Sequence, residues 1–371
     1  MTTVRKFSRA AVLCLLAGGA LVFGQTPPAQ APAPATTPGV APAGPAGGGR
    51  GGARAPMSPE DVAEIAKVER FPALTPGAGD GNYSIGPEYT PAPEQTPKDG
   101  VPKGRVEMFT VNAADSKFYP DTGLRGTTPT RQVTVYIPSQ YVAGTRAALI
   151  VSCDAYGARN NQLPSVLDNM IAEKRLPPII AVMIANGGGD AQGSERGLEY
   201  DTVSGKYAEF VEAEILPKVE KDYGVLLTKD PDLRMTLGGS SGGAAAFSMA
   251  WFHPELYHRV LIYSGTFVRQ SSDAEYPRGA WEYHDHVIAE SPVKPIRIWM
   301  HASQNDLGST GASSGFRNFL LANIRMAEVL KSKGYHYQFV YAKNAGHTDG
   351  KVIAQTYPQA LEYVWQGSLK R

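Results

Sequence analysis

Cysteine is nearly absent from this chain: Cys14 and Cys153 are the only two in 371 residues. Cys14 falls in an N-terminal leader, so the processed protein keeps one thiol. That excludes an internal disulfide framework and a cysteine metal site. Net charge is nearly absent too, with 36 Lys and Arg against 35 Asp and Glu. Such a balance argues against nucleic acid or an acidic membrane surface as partner. A membrane-spanning run is also missing. The apolar stretch at 10–23 falls short of the ~20 residues a spanning helix needs. No internal repeat marks a solenoid or propeller.

What is present begins with that leader. Arg5, Lys6 and Arg9 precede the apolar stretch, and Gly24 follows it. This is the layout of a secretory signal peptide over 1–24, so the mature chain is expected in the periplasm or secreted, without stable membrane insertion. Residues 25–57 are almost wholly Pro, Ala, Gly, Thr and Gln. They hold too little apolar surface to offset chain entropy and read as a disordered linker. Ser58-Pro59-Glu60-Asp61 opens a short helix, with serine as cap and proline in the first turn. The rest of 58–103 reads as an extended arm on the main domain, which occupies 104–371.

Within that domain strands and helices alternate. Strands are expected at 106–111, 132–137, 147–152, 179–184, 235–237, 260–263, 296–300 and 337–341, several of them apolar without a break. Helices are expected at 163–176, 202–223, 244–251, 313–333 and 353–365, and at 281–289 in an insert. The pattern implies an α/β fold with a mostly parallel central sheet and helices on both faces.

The chemistry concentrates at Gly238-Gly239-Ser240-Ser241-Gly242-Gly243. An apolar strand meets this run and an alanine-rich helix leaves it, the layout of a Gly-x-Ser-x-Gly nucleophile elbow. The motif fits in two registers, so spacing alone does not choose between Ser240 and Ser241. Glycines at −2, +2 and +3 favour Ser240. A serine nucleophile needs a base, and His347 follows the last strand, at the sheet edge where the elbow must lie. His301, at the end of another strand, ranks second. Asp306 fits the order Ser…Asp…His for the orienting carboxylate, with Glu282 and Asp285 as alternatives. The oxyanion donors are expected to be the Ser241 amide and one from Asp154-Ala155-Tyr156-Gly157, either Ala155 or Tyr156. Arg196 and Glu199 could face a substrate, although capping and ion pairing explain them equally well. His284-Asp285-His286 has metal-ligand spacing but no evident third ligand, so no metal is expected. The chemistry calls for no organic cofactor.

Taken together, Arg234-x-x-x-Gly238-x-Ser240-x-Gly242-Gly243, His253-Pro254-Glu255-Leu256-Tyr257 and Tyr263-Ser264-Gly265-Thr266-Phe267 resemble the enterochelin-esterase-like (esterase D-type) branch of the α/β-hydrolases. Asp154-Ala155-Tyr156-Gly157, Leu167-Asp168-Asn169-Met170-Ile171 and Arg196-x-x-Glu199-Tyr200 match that branch as well. The resemblance spans roughly 106–365. It implies the α/β-hydrolase fold, Ser240 as nucleophile, His347 as base and Asp306 as acid. It also implies hydrolysis of a siderophore lactone, a feruloyl or acetyl sugar ester, or a simple acyl ester. Two other functions use the same scaffold: a non-catalytic carbohydrate- or ligand-binding module, and an acyltransferase.

Overall fold

Strands that are apolar on both faces need cover on both. The structure, a computed structural model describing residues 56–158, 162–190 and 193–367, supplies it. The expected signal peptide, most of the linker and Cys14 lie outside these residues. Among the described residues ten strands form one sheet. They are β1 (Gly81–Ile85), β2 (Arg105–Asn112), β3 (Thr130–Ile137), β4 (Arg146–Cys153), β5 (Ile179–Ile184), β6 (Leu226–Leu227), β7 (Arg234–Gly239), β8 (Arg259–Tyr263), β9 (Arg297–Asn305) and β10 (His336–Gly346). The order is β1-β10-β9-β8-β7-β4-β5-β3-β2, with β6 beside β4. From β1 to β5 every neighbour in this order is parallel, whereas β3 and β2 join antiparallel.

Nine helices surround the sheet among the described residues. They are α1 (Pro59–Ala66), α2 (Gln162–Ala172), α3 (Glu195–Tyr200), α4 (Lys206–Phe210), α5 (Leu216–Tyr223), α6 (Ser241–Phe252), α7 (Ile288–Glu290), α8 (Phe319–Ser332) and α9 (Gly350–Val364). Side chains alternate across each strand, so two cores form. Ala148 and Ile150 pack with α2 and α9, through Leu163, Leu167, Val352 and Leu361. Leu149 and Val151 pack with α6 and α8, through Ala246, Phe247, Leu320 and Ile324. Ala244, Ala245 and Ala246 are buried, and their small side chains let α6 lie close to β7.

Several expectations change. The expected 58–103 arm belongs to the same compact unit as the main domain, Ala53–Arg371. Gly81–Ile85 pairs in parallel with β10 through five residue pairs and completes the sheet edge. Helix α1 is tied down as well. Ser58 accepts from the Asp61 amide at its start, and Asp61 and Glu64 grip Arg325 of α8 at 3.1 and 2.9 Å. The single helix expected at 202–223 is α4, a π turn at Val211–Ile215, and α5. Pro217 lacks the N–H that would continue an α ladder there. The helix expected from 313 begins at Phe319, because Asn318 caps it by accepting from the Leu321 amide. The helix expected at 281–289 is a π turn, Tyr283–Val287, followed by α7. Among the described residues no helix is long and apolar enough to cross a membrane.

Candidate active site

Five adjacent parallel strands, β10, β9, β8, β7 and β4, end at one edge of the sheet. The first residue beyond each is His347, Asp306, Ser264, Ser240 and Asp154 respectively. Chain direction alone therefore gathers a base, two carboxylates and two serines at one edge of the sheet.

Ser240 lies at the apex between β7 and α6, with φ 55° and ψ −128°. A non-glycine residue in this region is strained and is held there by its surroundings. The Ser240 amide donates to the Tyr263 carbonyl at 2.9 Å, and its carbonyl accepts from Gly243 and Thr266. Glycine is obligatory two residues earlier: a Cβ on Gly238 would stand 2.2 Å from the Gly242 carbonyl oxygen. Ser241 is instead the buried first residue of α6, and its hydroxyl accepts from Arg196 Nη1 at 3.2 Å.

Ser240 Oγ lies 2.8 Å from His347 Nε2. On the other side of the ring, His347 Nδ1 lies 2.6 Å from Asp306 Oδ1. The edge of His347 meets Phe319 at 5.3 Å between centroids. Asp306 is buried and accepts from every side. Leu307 N–H reaches Oδ1 at 2.8 Å, while the Ser264 hydroxyl and Ser303 N–H reach Oδ2 at 2.8 and 3.3 Å. Burial alone would raise its pKa. The bond and charge of His347, with the Ser264 and Leu307 donors, hold it below the ordinary carboxylate value. Ionised, Asp306 only accepts, so Nδ1 keeps its proton and Nε2 is free to take one.

The alternatives lie elsewhere. His301 is wholly buried, bonds Ser303 Oγ at 3.1 Å, and is pushed down to about 4 by burial. Glu282 and Asp285 share Arg278, at 2.6 and 2.7 Å. With His286 they place three ligand atoms within 4.8 Å of one another, but the Arg278 cation already bridges the two carboxylates. His284 does not join them. It is buried against Trp281, and burial lowers its pKa to about 3.

Of the expected oxyanion donors, the Ser241 amide opens α6 and has no acceptor within the helix. The other two are turned inward: Ala155 N–H donates to the Ile184 carbonyl at 2.7 Å and Tyr156 N–H to Cys153 at 3.1 Å. The expected substrate residues also separate. Arg196 lies behind the elbow, with Nε 3.0 Å from both Asp154 oxygens and Nη1 2.7 Å from the Asp190 carbonyl. Glu199 is fully buried, ion-paired to Arg131 at 2.6 Å and bonded to the Gly187 amide at 2.9 Å. It ties α3 to Gly187 and to Arg131. Burial, opposed by Arg131, raises its pKa to about 7. The sequence does not single out Arg131, because a lone arginine near the start of a strand such as β3 gives no local signal. The same holds for Ser264.

The chain belongs to the family described as "Putative esterase", whose pattern matches residues 127–355, more than half of its length. No curated protein matches it. Among solved structures it is similar to the enterobactin esterase of Shigella flexneri, determined in the presence of 2,3-di-hydroxy-N-benzoyl-glycine, with TM-score 0.51 and 19% identity. That alignment covers 76% of this chain and 63% of the other, so the chain spans under two thirds of that protein. A ferulic acid esterase of Anaeromyces mucronatus is similar with TM-score 0.54 and 15% identity, over 75% of this chain and 96% of that one. Another ferulic acid esterase gives 0.51 and 19%, over 71% and 99%. These likenesses establish the α/β-hydrolase fold.

Proposed function

We propose that this chain is an exported serine esterase that cleaves a carboxylic ester through an acyl-enzyme. The observation that carries the reading is the unbroken line from Ser240 Oγ through His347 to Asp306. His347 Nε2 takes the Ser240 proton as Oγ attacks the ester carbonyl, and Asp306 balances the imidazolium. The Ser241 amide, at the positive end of α6, faces the developing oxyanion. His347 then returns the proton to the leaving alcohol. Water, deprotonated by the same nitrogen, releases the acid and restores Ser240.

Export rests on the basic and apolar leader of residues 1–24. The family resemblance supports as substrate a siderophore lactone, a feruloyl or acetyl sugar ester, or a simple acyl ester. The test is a panel of aryl acetates, feruloyl sugars and catecholate lactones, with product analysis, on the wild type and Ser240→Ala. The reading expects free acid from at least one ester, and its loss on the order of 10⁶ in kcat in the variant. Acyl groups recovered on an added sugar would make the chain a transferase. A folded protein that binds esters without turnover would make it a binding module.

A further inference from the structure

We infer that Ser264 is a positioning residue that holds the Asp306 carboxylate and the His347 loop in register. The inference rests on the serine esterase reading and extends it by one side chain. Ser264 is the first residue beyond β8 and is completely buried. It too has a positive φ, 48°, with a side chain that pays the steric penalty of that region. Its backbone is fixed by donation to the His301 carbonyl at 2.9 Å. Its hydroxyl does two things at once. It donates to Asp306 Oδ2 at 2.8 Å, and it accepts from the amide of Thr348, the neighbour of His347, at 3.1 Å.

That pairing explains why a serine occupies a position where glycine would cost less. A hydroxyl offers one donor and an acceptor, so a single group can link the acid loop after β9 to the base loop after β10. Thr348 also has positive φ, 47°, so the turn carrying the base needs a fixed anchor. On the acid side, Oδ1 is shared by His347 and Leu307. Ser264 is the nearer of the two donors that stop the carboxylate rotating about its Oδ1 contact, since Ser303 N–H is longer at 3.3 Å. The Ser264 hydroxyl bonds Asp306 and the Thr348 amide rather than Ser240. It therefore acts on the reaction through Asp306 and His347.

The experiment is a double-mutant cycle on the full chain with Ser264→Ala and Asp306→Asn, measured with one aryl ester the wild type turns over. A hydrogen bond to a charged group supports a loss of about ten- to a hundredfold, expected in kcat with KM within about twofold. In the Asp306→Asn background the same change should cost several-fold less than in the wild type, because the charge it orients is gone and only the Thr348 anchor remains to be lost. Equal losses in both backgrounds would make Ser264 a purely structural residue, and a wild-type kcat for Ser264→Ala would overturn the inference. Should the alanine variant fail to fold, Ser264→Gly removes the same hydroxyl and suits the positive φ, and the same outcomes apply. If Asp306→Asn alone keeps wild-type activity, the esterase triad reading fails instead, so the two failures are distinguishable.

Discussion

Replacing Asp306 by asparagine keeps the shape of the side chain and removes its charge, and the structure sets bounds on the loss. Four donors converge on the carboxylate: His347 Nδ1 and Leu307 N–H on Oδ1, Ser264 Oγ and Ser303 N–H on Oδ2. An asparagine has one acceptor and one donor end. If its NH₂ occupies the Oδ2 place, Ser264 can turn its proton away and the histidine tautomer survives. The loss is then that of a charge-assisted hydrogen bond, roughly 1.5–3 kcal/mol, or about ten- to a hundredfold in kcat. If the NH₂ occupies the Oδ1 place, His347 must accept at Nδ1 and carry its proton on Nε2. Nε2 would then donate to Ser240 and could not take its proton, and a wrong tautomer costs on the order of 10⁴. We expect kcat between these bounds, with KM little changed, since the carboxylate matters most as the imidazolium forms. The assay is steady-state release of a chromogenic alcohol, with circular dichroism to confirm folding. A folded variant within about threefold of wild-type kcat would refute the reasoning and move the acid elsewhere.

Other consequences follow from the same geometry. His301 is held near 4 by burial, against an ordinary 6.5. Between those values the unfolded chain binds a proton that the folded chain does not, so stability should fall as pH drops from 6.5 to 4, by about 1.4 kcal/mol per pH unit. Urea unfolding at stepped pH should show this slope reduced by about one proton in His301→Asn; an unchanged slope would mean that His301 does not contribute. Gly238→Ala should cost at least about a hundredfold in kcat, because its Cβ would collide with the Gly242 carbonyl and displace the elbow. Near-normal turnover would show that the turn has slack. A chain starting at residue 56 should melt like the full-length protein, whereas one starting at 104 loses β1 and the α1 ion pairs and should unfold at least several degrees lower. Equal melting temperatures would restore the arm to an accessory role.

Much of the fold was legible because parallel strands buried on both faces are apolar without interruption. Residues 179–184 were readable to the residue for that reason. Local capping chemistry makes Ser58 readable, whereas a strong helical period masks the signals of Asn318 and Pro217. Strand β1 was not legible, because Gly81–Ile85 is partly exposed and gains its meaning only from β10, far along the chain. At the site, Ser240, Asp306 and His347 stood out through glycine spacing, chain order and position after a strand. Arg131 and Ser264 did not, since their partners are distant in sequence. The inward turn of the Ala155 and Tyr156 amides depends on backbone angles, and nothing in the residue types there announces φ values of 60° and 48° at Asp154 and Ala155.

The central claim is that Ser240 is an activated nucleophile, and covalent labelling tests it most directly. The protein is treated with an aryl alkylphosphonate, which reacts with an activated serine, and the adduct is located by peptide mass spectrometry. The account predicts one phosphonyl group per chain, on Ser240. Labelling should disappear in Ser240→Ala, slow sharply in His347→Ala and persist in Ser241→Ala, where the backbone amide is unchanged. An adduct on Ser241, or ester hydrolysis that continues in Ser240→Ala, would contradict it.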